Sequence, residues 1–300
     1  MAFKIAIASG KGGTGKTTVA VNLANYFSQH SKYRTTLVDC DVEEPNDAIF
    51  FPEFAKDSEK TIHQLIAEID AKTCTYCRKC VEYCQFNAIV IIPPAQFAEI
   101  NPDLCHSCGA CLVACEEKAI SEKKRSIGTI SYFNSGTNIQ IVEGRLRIGS
   151  AMQTMLIREV KKQLNVHEQE IILFDAPPGT SCPVVATVSD ADYIILVTEP
   201  TPFGLFDLKL MVEMLVEMDK PYGVVVNKFG LGNRDIYEYL ESRQIELIGE
   251  IPFNRNYASM YARGELFRDI PDEIDKEYKK LIEILEERKI VHEGADYFKW

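Results

Sequence analysis

The residues best suited to chemistry in this 300-residue chain are its cysteines. Eight of the ten cysteines lie between Cys74 and Cys115, in two copies of one spacing. Residues 74–89 read CTYCRKCVEYCQFNAI, and residues 105–120 read CHSCGACLVACEEKAI. Four thiolates so closely spaced, given twice, suit two [4Fe–4S] clusters, because cysteine sulfur holds such clusters. Zinc is the alternative, but its sites commonly use two separated pairs of ligands.

The order of the cysteines also predicts which of them act together. Both copies follow C-x2-C-x2-C-x3-C, the pattern of bacterial two-cluster ferredoxins, in which the fourth cysteine binds the cluster of the other copy. The proline that normally follows the fourth cysteine is replaced by Gln85 and Glu116, which leaves the cluster potentials open. We therefore expect residues 72–125 to form a small inserted α+β ferredoxin domain that moves electrons. The expected ligand sets are Cys74, Cys77, Cys80 and Cys115 for one cluster, and Cys84, Cys105, Cys108 and Cys111 for the other.

A glycine-rich loop near the start of the chain could bind phosphate. Residues 10–17 read GKGGTGKT, which matches the P-loop pattern G-x4-G-K-[ST] between an apolar run at residues 3–9 and a helical pattern. The glycines let backbone N–H groups surround phosphate oxygens, and a helix beginning near Lys16 adds the positive end of its dipole. Lys16 should bridge the β- and γ-phosphates of ATP, and Thr17 should bind Mg²⁺. The expected nucleotide-binding residues of this loop are Gly10, Lys11, Gly12, Gly13, Thr14, Gly15, Lys16, Thr17 and Thr18.

Aspartates lie at the ends of two other apolar runs. The runs are TTLVDCD at residues 35–41 and EIILFDAPPG at residues 170–179. A lone buried carboxylate is costly, whereas near a P-loop it can hold Mg²⁺ or its waters. We therefore expect Asp175 to serve the metal and Asp39 to support it. The alternative for Asp39 is a helix-capping or loop carboxylate.

The elements that position these residues follow from the apolar pattern. Apolar runs such as YIILVTEP and YGVVVNKF read as buried strands, and helical patterns separate them. Strands that alternate with helices predict an α/β fold with a mostly parallel sheet and helices on both faces. Ligands bind at the carboxyl ends of such strands. The expected ATPase domain is discontinuous, covering residues 1–71 and 126–300, and helices are expected over residues 61–70, 151–164 and 273–287.

The loop KGGTGKT resembles the deviant Walker A loop of the MinD/ParA/Mrp and nitrogenase iron-protein superfamily, and the resemblance covers nearly all of the chain. It implies an ATPase that forms a homodimer on binding ATP, with Lys11 reaching across to the partner's nucleotide. A solvated surface lysine is the alternative for Lys11. The resemblance also implies that Asp41 orients the attacking water, so that Lys11, Lys16 and Asp41 are the expected catalytic residues. Asn227 and Pro252 would contact the adenine base.

Composition limits the expected partners and location. The formal net charge is −11, which argues against sequence-independent binding of nucleic acid, since that needs a cationic surface. No apolar run could cross a bilayer, and the N-terminus lacks a charged and apolar leader, so we expect a cytoplasmic protein without a membrane partner. Outside the motifs, Cys40 is expected to be buried. Cys182 is expected to be an unligated thiol, although a metal bridging two subunits there stays open.

Three functions fit these features, and we favour the first. In it, slow or partner-activated ATP hydrolysis switches a homodimer and controls electron transfer through the clusters to an unidentified redox protein. In the second, the protein is an ATP-dependent carrier that delivers iron–sulfur clusters to an acceptor protein. In the third, the nucleotide state sets only oligomerisation, in a regulatory or positioning protein.

Overall fold

The computed structural model describes residues 2–134, 136, 138–164 and 170–296. The chain divides into two compact units. The expected insert of residues 72–125 falls within the sequence range of the second unit, and its identity as a ferredoxin domain stays a prediction. The first unit comprises Met1–Glu59, Ile130–Arg145 and Ile157–Trp300, and the second comprises Lys60–Thr129 and Leu146–Leu156.

Strands and helices alternate along most of the chain. The strands are β1 (Phe3–Ala8), β2 (Arg34–Asp39), β3 (Ala55–Ile69), β4 (Ile89–Ile92), β5 (Phe97–Ile100), β6 (Ile120–Asn134), β7 (Ile139–Leu146), β8 (Glu170–Asp175), β9 (Tyr193–Thr198), β10 (Tyr222–Phe229) and β11 (Leu247–Pro252). The helices are α1 (Lys16–His30), α2 (Lys79–Tyr83), α3 (Ala110–Ala114), α4 (Gln153–Lys162), α5 (Cys182–Val188), α6 (Pro202–Glu217), α7 (Asp235–Ser242), α8 (Arg255–Ala262) and α9 (Asp272–Asp296). Short 3₁₀ turns cover Asp47–Phe50 and Pro93–Ala95.

The large sheet accounts for the long apolar runs of the sequence. Its strand order is β11-β10-β9-β1-β8-β2-β7-β6-β3. β1 pairs in parallel with β8 and β9, β2 with β7 and β8, and β10 with β9 and β11. Every residue of β8 and β9 is buried, as expected for strands covered on both faces. The predicted α/β fold with a mostly parallel sheet is therefore confirmed.

The strand register brings the expected site residues together. Asp39 at the end of β2 is paired in register with Asp175 at the end of β8, and Asp175 also lies opposite Ile7 of β1. The glycine loop joins β1 directly to α1, which begins at Lys16. Because the carboxyl ends of parallel strands meet at one edge of a sheet, these residues share that edge.

The prediction of a helix over residues 61–70 was wrong, because this segment belongs to strand β3. Ile62, Gln64 and Ile66 are buried, whereas Leu65 is 43% exposed. Burial therefore alternates with a period of two, as it does along a strand. The isoleucines also fit a helical spacing, and β-branched side chains favour the strand.

The other two expected helices form with shifted ends. α4 covers Gln153–Lys162, and α9 extends to Asp296, beyond the expected end at residue 287. The expected buried face of α9 is confirmed, since its predicted core residues are at most 4% exposed. No helix in the described part of the chain is long and apolar enough to span a membrane. The residues of that buried face are Ile274, Tyr278, Leu281, Ile282 and Leu285.

In the second unit, the two cysteine motifs adopt the same backbone conformation. α2 and α3 occupy equivalent positions, each directly after a residue in the left-handed region, namely Arg78 (φ 67°) and Gly109 (φ 72°). The sequence repeat is therefore also a structural repeat. Two more equivalent pairs have positive φ, Tyr76 with Ser107 and Asn87 with Lys118.

The core of the second unit surrounds two of its cysteines with apolar side chains. β4 and β5 form an antiparallel pair in which Ile89 lies opposite Ile100. Two of the eight motif cysteines, Cys80 and Cys111, are therefore part of this small core. The buried residues of this core are Ala67, Cys80, Ile89, Ile91, Cys111 and Ile120.

Candidate functional site

At two positions of the loop between β1 and α1, there is no space for a Cβ atom, so only glycine fits. Gly15 has a φ of 91°, and a Cβ there would lie 2.0 Å from Nδ2 of Asn227. A Cβ on Gly10 would lie 2.5 Å from the backbone oxygen of Asp207. Nδ2 of Asn227 donates to the backbone oxygen of Thr14 at 2.7 Å, so the end of β10 holds the loop. A contact between Asn227 and a base stays a prediction.

Lys16, at the start of α1, forms a buried ion pair with Asp175. Its Nζ lies 2.8 Å from Oδ1 of Asp175, and the two side chains are 7% and 1% exposed. Oγ1 of Thr17 donates to Oδ2 of Asp175 at 2.7 Å. Burial acts to lower the pKa of Lys16, but attraction to Asp175 and their hydrogen bond raise it above its usual value. The structure thus brings together the residues expected to bind the phosphates and Mg²⁺.

Asp39 orders the loop that follows β2. Its Oδ1 accepts the backbone N–H of Asp41 at 3.0 Å, and its Oδ2 accepts those of Asn46 at 2.7 Å and Asp47 at 3.1 Å. Burial, and then the charge of Asp175, raise the pKa of Asp39 to about 8. These hydrogen bonds match the alternative of a loop carboxylate, and a role for Asp39 in binding magnesium stays a prediction.

Asp47 is a buried carboxyl group beside the site that sequence reasoning missed. Its side chain is fully buried, and neither oxygen accepts a hydrogen bond from any described residue. Burial, and then the negative charges of Asp39 and Asp175, raise its pKa well above the usual value. The signal in the sequence is an aspartate at the head of the apolar run DAIFF. The edge of the sheet therefore carries more buried carboxyl groups than Lys16 alone can compensate.

We expect Asp47→Asn to stabilise the nucleotide-free protein, and to do so more at pH 8 than at pH 5. A carboxyl group whose pKa is raised on folding favours the folded state at low pH, and this contribution is lost as pH rises toward the folded pKa. The asparagine does not ionise, so the variant keeps the free energy of unfolding that the wild type loses, which is at most ~1.4 kcal/mol per pH unit. Urea unfolding at both pH values measures it, with the exposed Asp57→Asn as the control. An equal effect of Asp47→Asn at the two pH values would contradict the assignment.

A cavity of about 350 Å³ lies over the glycine loop. Burial raises the pKa of Asp41, which lines this cavity. Gly10, Asp39 and Asp175 do not line it, and the two aspartates are only 1% exposed. The expected residues that do line it are Lys11, Gly12, Gly13, Thr14, Gly15, Lys16, Thr17, Thr18, Asp41, Asn227 and Pro252.

The far wall of this cavity is partly aromatic, and sequence reasoning missed it. Phe253, Tyr257 and Tyr261 line the cavity beside Pro252. Aromatic faces can pack against a planar ring, which suits a nucleotide base. No local pattern in the sequence marks these residues, because Phe253 directly follows β11 and the two tyrosines belong to α8, more than 200 residues after the loop.

Lys11 is held by an ion pair rather than lying free in solvent. Its Nζ lies 2.6 Å from Oε1 of Glu199, and Nζ of Lys228 lies 2.8 Å from Oε2 of the same carboxylate. Glu199 follows β9 and Lys228 lies near the end of β10, so the pattern of strands places both at this edge of the sheet, but no motif predicts their pairing with Lys11. A role for Lys11 in a partner's site stays a prediction.

Two cavities in the second unit divide the eight motif cysteines into the two expected sets. One is lined by Cys74, Cys77, Cys80 and Cys115, and the other by Cys84, Cys105, Cys108 and Cys111. In each cavity the fourth cysteine comes from the other motif. The linings follow the same division as the expected ligand sets, with four thiols around each of two separate spaces. Ligation of a cluster by either set stays a prediction.

Backbone N–H groups point at several of these sulfurs. Ala88 donates to Sγ of Cys84 at 3.4 Å, and Ala119 donates to Sγ of Cys115 at 3.3 Å, at equivalent positions of the two repeats. Burial raises the pKa of Cys111 to about 11. N–H donors toward sulfur are a usual feature of cluster-binding loops, where they tune the potential.

No three His, Cys, Asp or Glu side chains of the described residues converge closely enough to hold one metal ion. A cubane cluster asks for a different geometry, because each of its four cysteines binds a different iron. The set of four thiols that lines each cavity suits that larger group in its chemistry. Outside the motifs, Cys40 is buried as predicted, and Cys182 is exposed at the start of α5.

Comparisons with known proteins identify the family. The model of the CobQ/CobB/MinD/ParA nucleotide binding domain matches residues 5–267. An uncharacterized protein of Methanocaldococcus jannaschii is 33% identical, over 95% of this chain and 97% of that protein. An iron-sulfur cluster carrier protein of Pyrococcus abyssi is 24% identical, over 84% of this chain and 74% of that protein. The septum site-determining protein MinD of Pyrococcus horikoshii, complexed with Mg-ADP, shares the fold with a TM-score of 0.59 at 19% identity, over 95% of this chain and 96% of that chain. With more than half of its length matched by the family model, this chain belongs to the CobQ/CobB/MinD/ParA nucleotide-binding domain family.

Proposed function

We propose that this protein hydrolyses ATP to switch a homodimer, and that the switch controls electron transfer through two [4Fe–4S] clusters in the second unit. One observation carries the proposal. The same chain has a cavity over a P-loop and two further cavities, each lined by a crosswise set of four cysteines. An ATPase that binds no iron–sulfur cluster has no need of those eight thiols.

The contacts of the P-loop support the nucleotide half of the proposal. Lys16, now paired with Asp175, would turn to the β- and γ-phosphates when ATP binds, and Thr17 with Asp175 would hold Mg²⁺. Asp41 lines the cavity and would orient the attacking water. Lys11 would complete the site of the partner chain, as an arginine finger does.

The cysteine-lined cavities support the iron–sulfur half. Clusters bound there would supply one-electron transfer. The thiolates of the chain would hold them, and the N–H groups of Ala88 and Ala119 would stabilise negative charge on sulfur. Because the core of the second unit is small, cluster binding would also stabilise its fold.

The two cavities differ in their other lining residues. Lys79, Glu116 and Glu117 line the first, whereas Glu122, Phe86 and His106 line the second. The rings of Phe86 and His106 are stacked, with their centroids 3.8 Å apart. Nearby charge and access of solvent set cluster potentials. We therefore expect the two clusters to have different potentials.

Anaerobic protein with rebuilt clusters tests the proposal. We expect about eight irons per chain, as two cubanes require, EPR signals after reduction, and magnesium-dependent ATP hydrolysis in the same preparation. The iron–sulfur half would be overturned if the folded protein takes up no iron and shows no EPR signal after reduction. A protein that binds clusters and never hydrolyses ATP, with or without redox partners, would overturn the nucleotide half.

Delivery of clusters to other proteins is the second candidate, and the relative of Pyrococcus abyssi named as an iron-sulfur cluster carrier favours it. In this case the clusters would be cargo, and ATP would speed their transfer to an iron-free ferredoxin. Retention of both clusters through many rounds of ATP hydrolysis would count against it. Four cysteines around each of two spaces favour retention.

Paired cysteine variants should show the crosswise ligation. Cys77→Ala with Cys115→Ala removes two ligands of one cluster, so we expect about four irons per chain to remain. Cys77→Ala with Cys84→Ala damages both sets, so we expect neither cluster to remain. Iron analysis and EPR measure the difference, with Cys182→Ala as a control that keeps both clusters. The reverse pattern would show that each motif binds its own cluster.

A further inference from the structure

Glu199 lies between two lysines beside the glycine loop. Its Oε1 lies 2.6 Å from Nζ of Lys11, and its Oε2 lies 2.8 Å from Nζ of Lys228. The Glu199 side chain is only 13% exposed. Each carboxylate oxygen therefore has a different lysine as its partner, and one negative charge is shared between two positive ones.

The two lysines are held to different degrees. Nζ of Lys228 also donates to the backbone oxygen of Gly13 at 2.7 Å, and Lys228 directly follows Asn227, which bonds the same loop at Thr14. Nζ of Lys11 contacts the Glu199 carboxylate and, more weakly, the ring of Phe203, whose centre lies 6.0 Å away. Lys11 is thus the partner that can leave with fewer contacts broken.

Departure of Lys11 would not leave the carboxylate unpaired. A largely buried carboxylate that loses its sole cation is strongly destabilised. Here Lys228 would stay on Oε2, so Glu199 keeps a positive partner while Lys11 moves. The second lysine lowers the free energy needed to release the first.

We propose that Glu199 is a positioning residue that holds Lys11 against its own chain. Lys228 lowers the free energy needed to release Lys11 toward a second, ATP-loaded copy of this chain. The inference rests on the proposed function, in which Lys11 acts across a homodimer. In the dimer, Lys11 exchanges the Glu199 carboxylate for the phosphates of the partner's nucleotide. Glu199 therefore sets how much ATP is needed before two chains pair.

Two variants should shift dimerisation in opposite directions. Glu199→Gln removes the charge that holds Lys11, so we expect dimers at about tenfold lower concentration of a non-hydrolysable ATP analogue, the effect of losing one charge-assisted hydrogen bond. Lys228→Met leaves Lys11 as the cation on Glu199, so we expect a several-fold higher concentration to be needed. Analytical ultracentrifugation of the full chain, with clusters in place, measures both midpoints.

Nucleotide affinity must be measured beside dimerisation, because Lys228 also lines the nucleotide cavity. Binding of a fluorescent ATP analogue at protein concentrations too low for pairing separates the two effects. Mere structural damage would weaken dimerisation in both variants, so easier pairing of Glu199→Gln is the decisive sign. Midpoints that move in the same direction, or that do not move once nucleotide affinity is accounted for, overturn the inference.

Failure of the inference can be told apart from failure of the proposed function. If the wild type stays monomeric with the ATP analogue, or Lys11→Ala pairs as the wild type does, the proposed function fails and the inference fails with it. If wild type and Lys11→Ala differ as expected but Glu199→Gln behaves as the wild type does, only the inference fails.

Discussion

Lys16→Ala is expected to abolish ATP hydrolysis, with kcat falling by ~10²-fold or more, because a positioned cation that stabilises developing charge is lost. Lys16 begins α1, lines the nucleotide cavity and is paired with Asp175 at 2.8 Å. The variant also removes the lysine that is paired with the buried Asp175 carboxylate. Colorimetric phosphate release measures the activity.

Folding of this variant has to be checked, since breaking a buried ion pair can cost ~3–5 kcal/mol. Circular dichroism shows whether the sheet and helices remain, and Lys280→Ala, an exposed position on α9, is the matched control. A folded Lys16→Ala protein that releases phosphate as fast as the wild type would contradict the role of the loop.

Lys11→Ala is expected to lower kcat by ~10³-fold, as removal of an arginine finger does. The stronger test is mixing with Asp41→Asn, which keeps Lys11 but cannot orient the water. If Lys11 acts across the dimer, a mixed dimer has one complete site, made of Asp41 from one chain and Lys11 from the other. Activity should therefore return when two inactive variants are combined.

Mixing also distinguishes action of Lys11 on the nucleotide of its own chain from action on the nucleotide of the partner. If Lys11 serves the nucleotide of its own chain, each site of the mixed dimer lacks one residue and the mixture stays inactive. Mixing Lys11→Ala with Lys16→Ala provides a second pairing with the same expectation. An inactive mixture in both cases, with dimers shown by ultracentrifugation, would contradict action across the dimer.

The parts of the site that the sequence predicted are those encoded by local spacing. Short motifs identify the loop from Gly10 to Thr17 and the eight cysteines. Continuous apolar runs predict strands that are buried on both faces. The edge where Asp39 meets Asp175 followed from the rule that parallel strands share their carboxyl ends. These features need no knowledge of distant contacts.

The parts that the sequence could not predict depend on contacts between distant residues. Leu65 fits a helical face, yet β3 exposes it, because the segment is part of a sheet. Asp47 belongs to none of the motifs, and only the fold buries it beside Asp175. Glu199 lies 188 positions from Lys11, and no motif links the two.

The central claim is that ATP at the P-loop changes what the clusters do. An EPR-monitored redox titration of the cluster-loaded protein tests it most directly, with a non-hydrolysable ATP analogue in one series and ADP in the other. We predict that the midpoint potential of at least one cluster differs between the two nucleotides, and that the difference disappears in Lys16→Ala. Identical midpoint potentials for both clusters with the two nucleotides, in protein shown to bind both, would contradict the account.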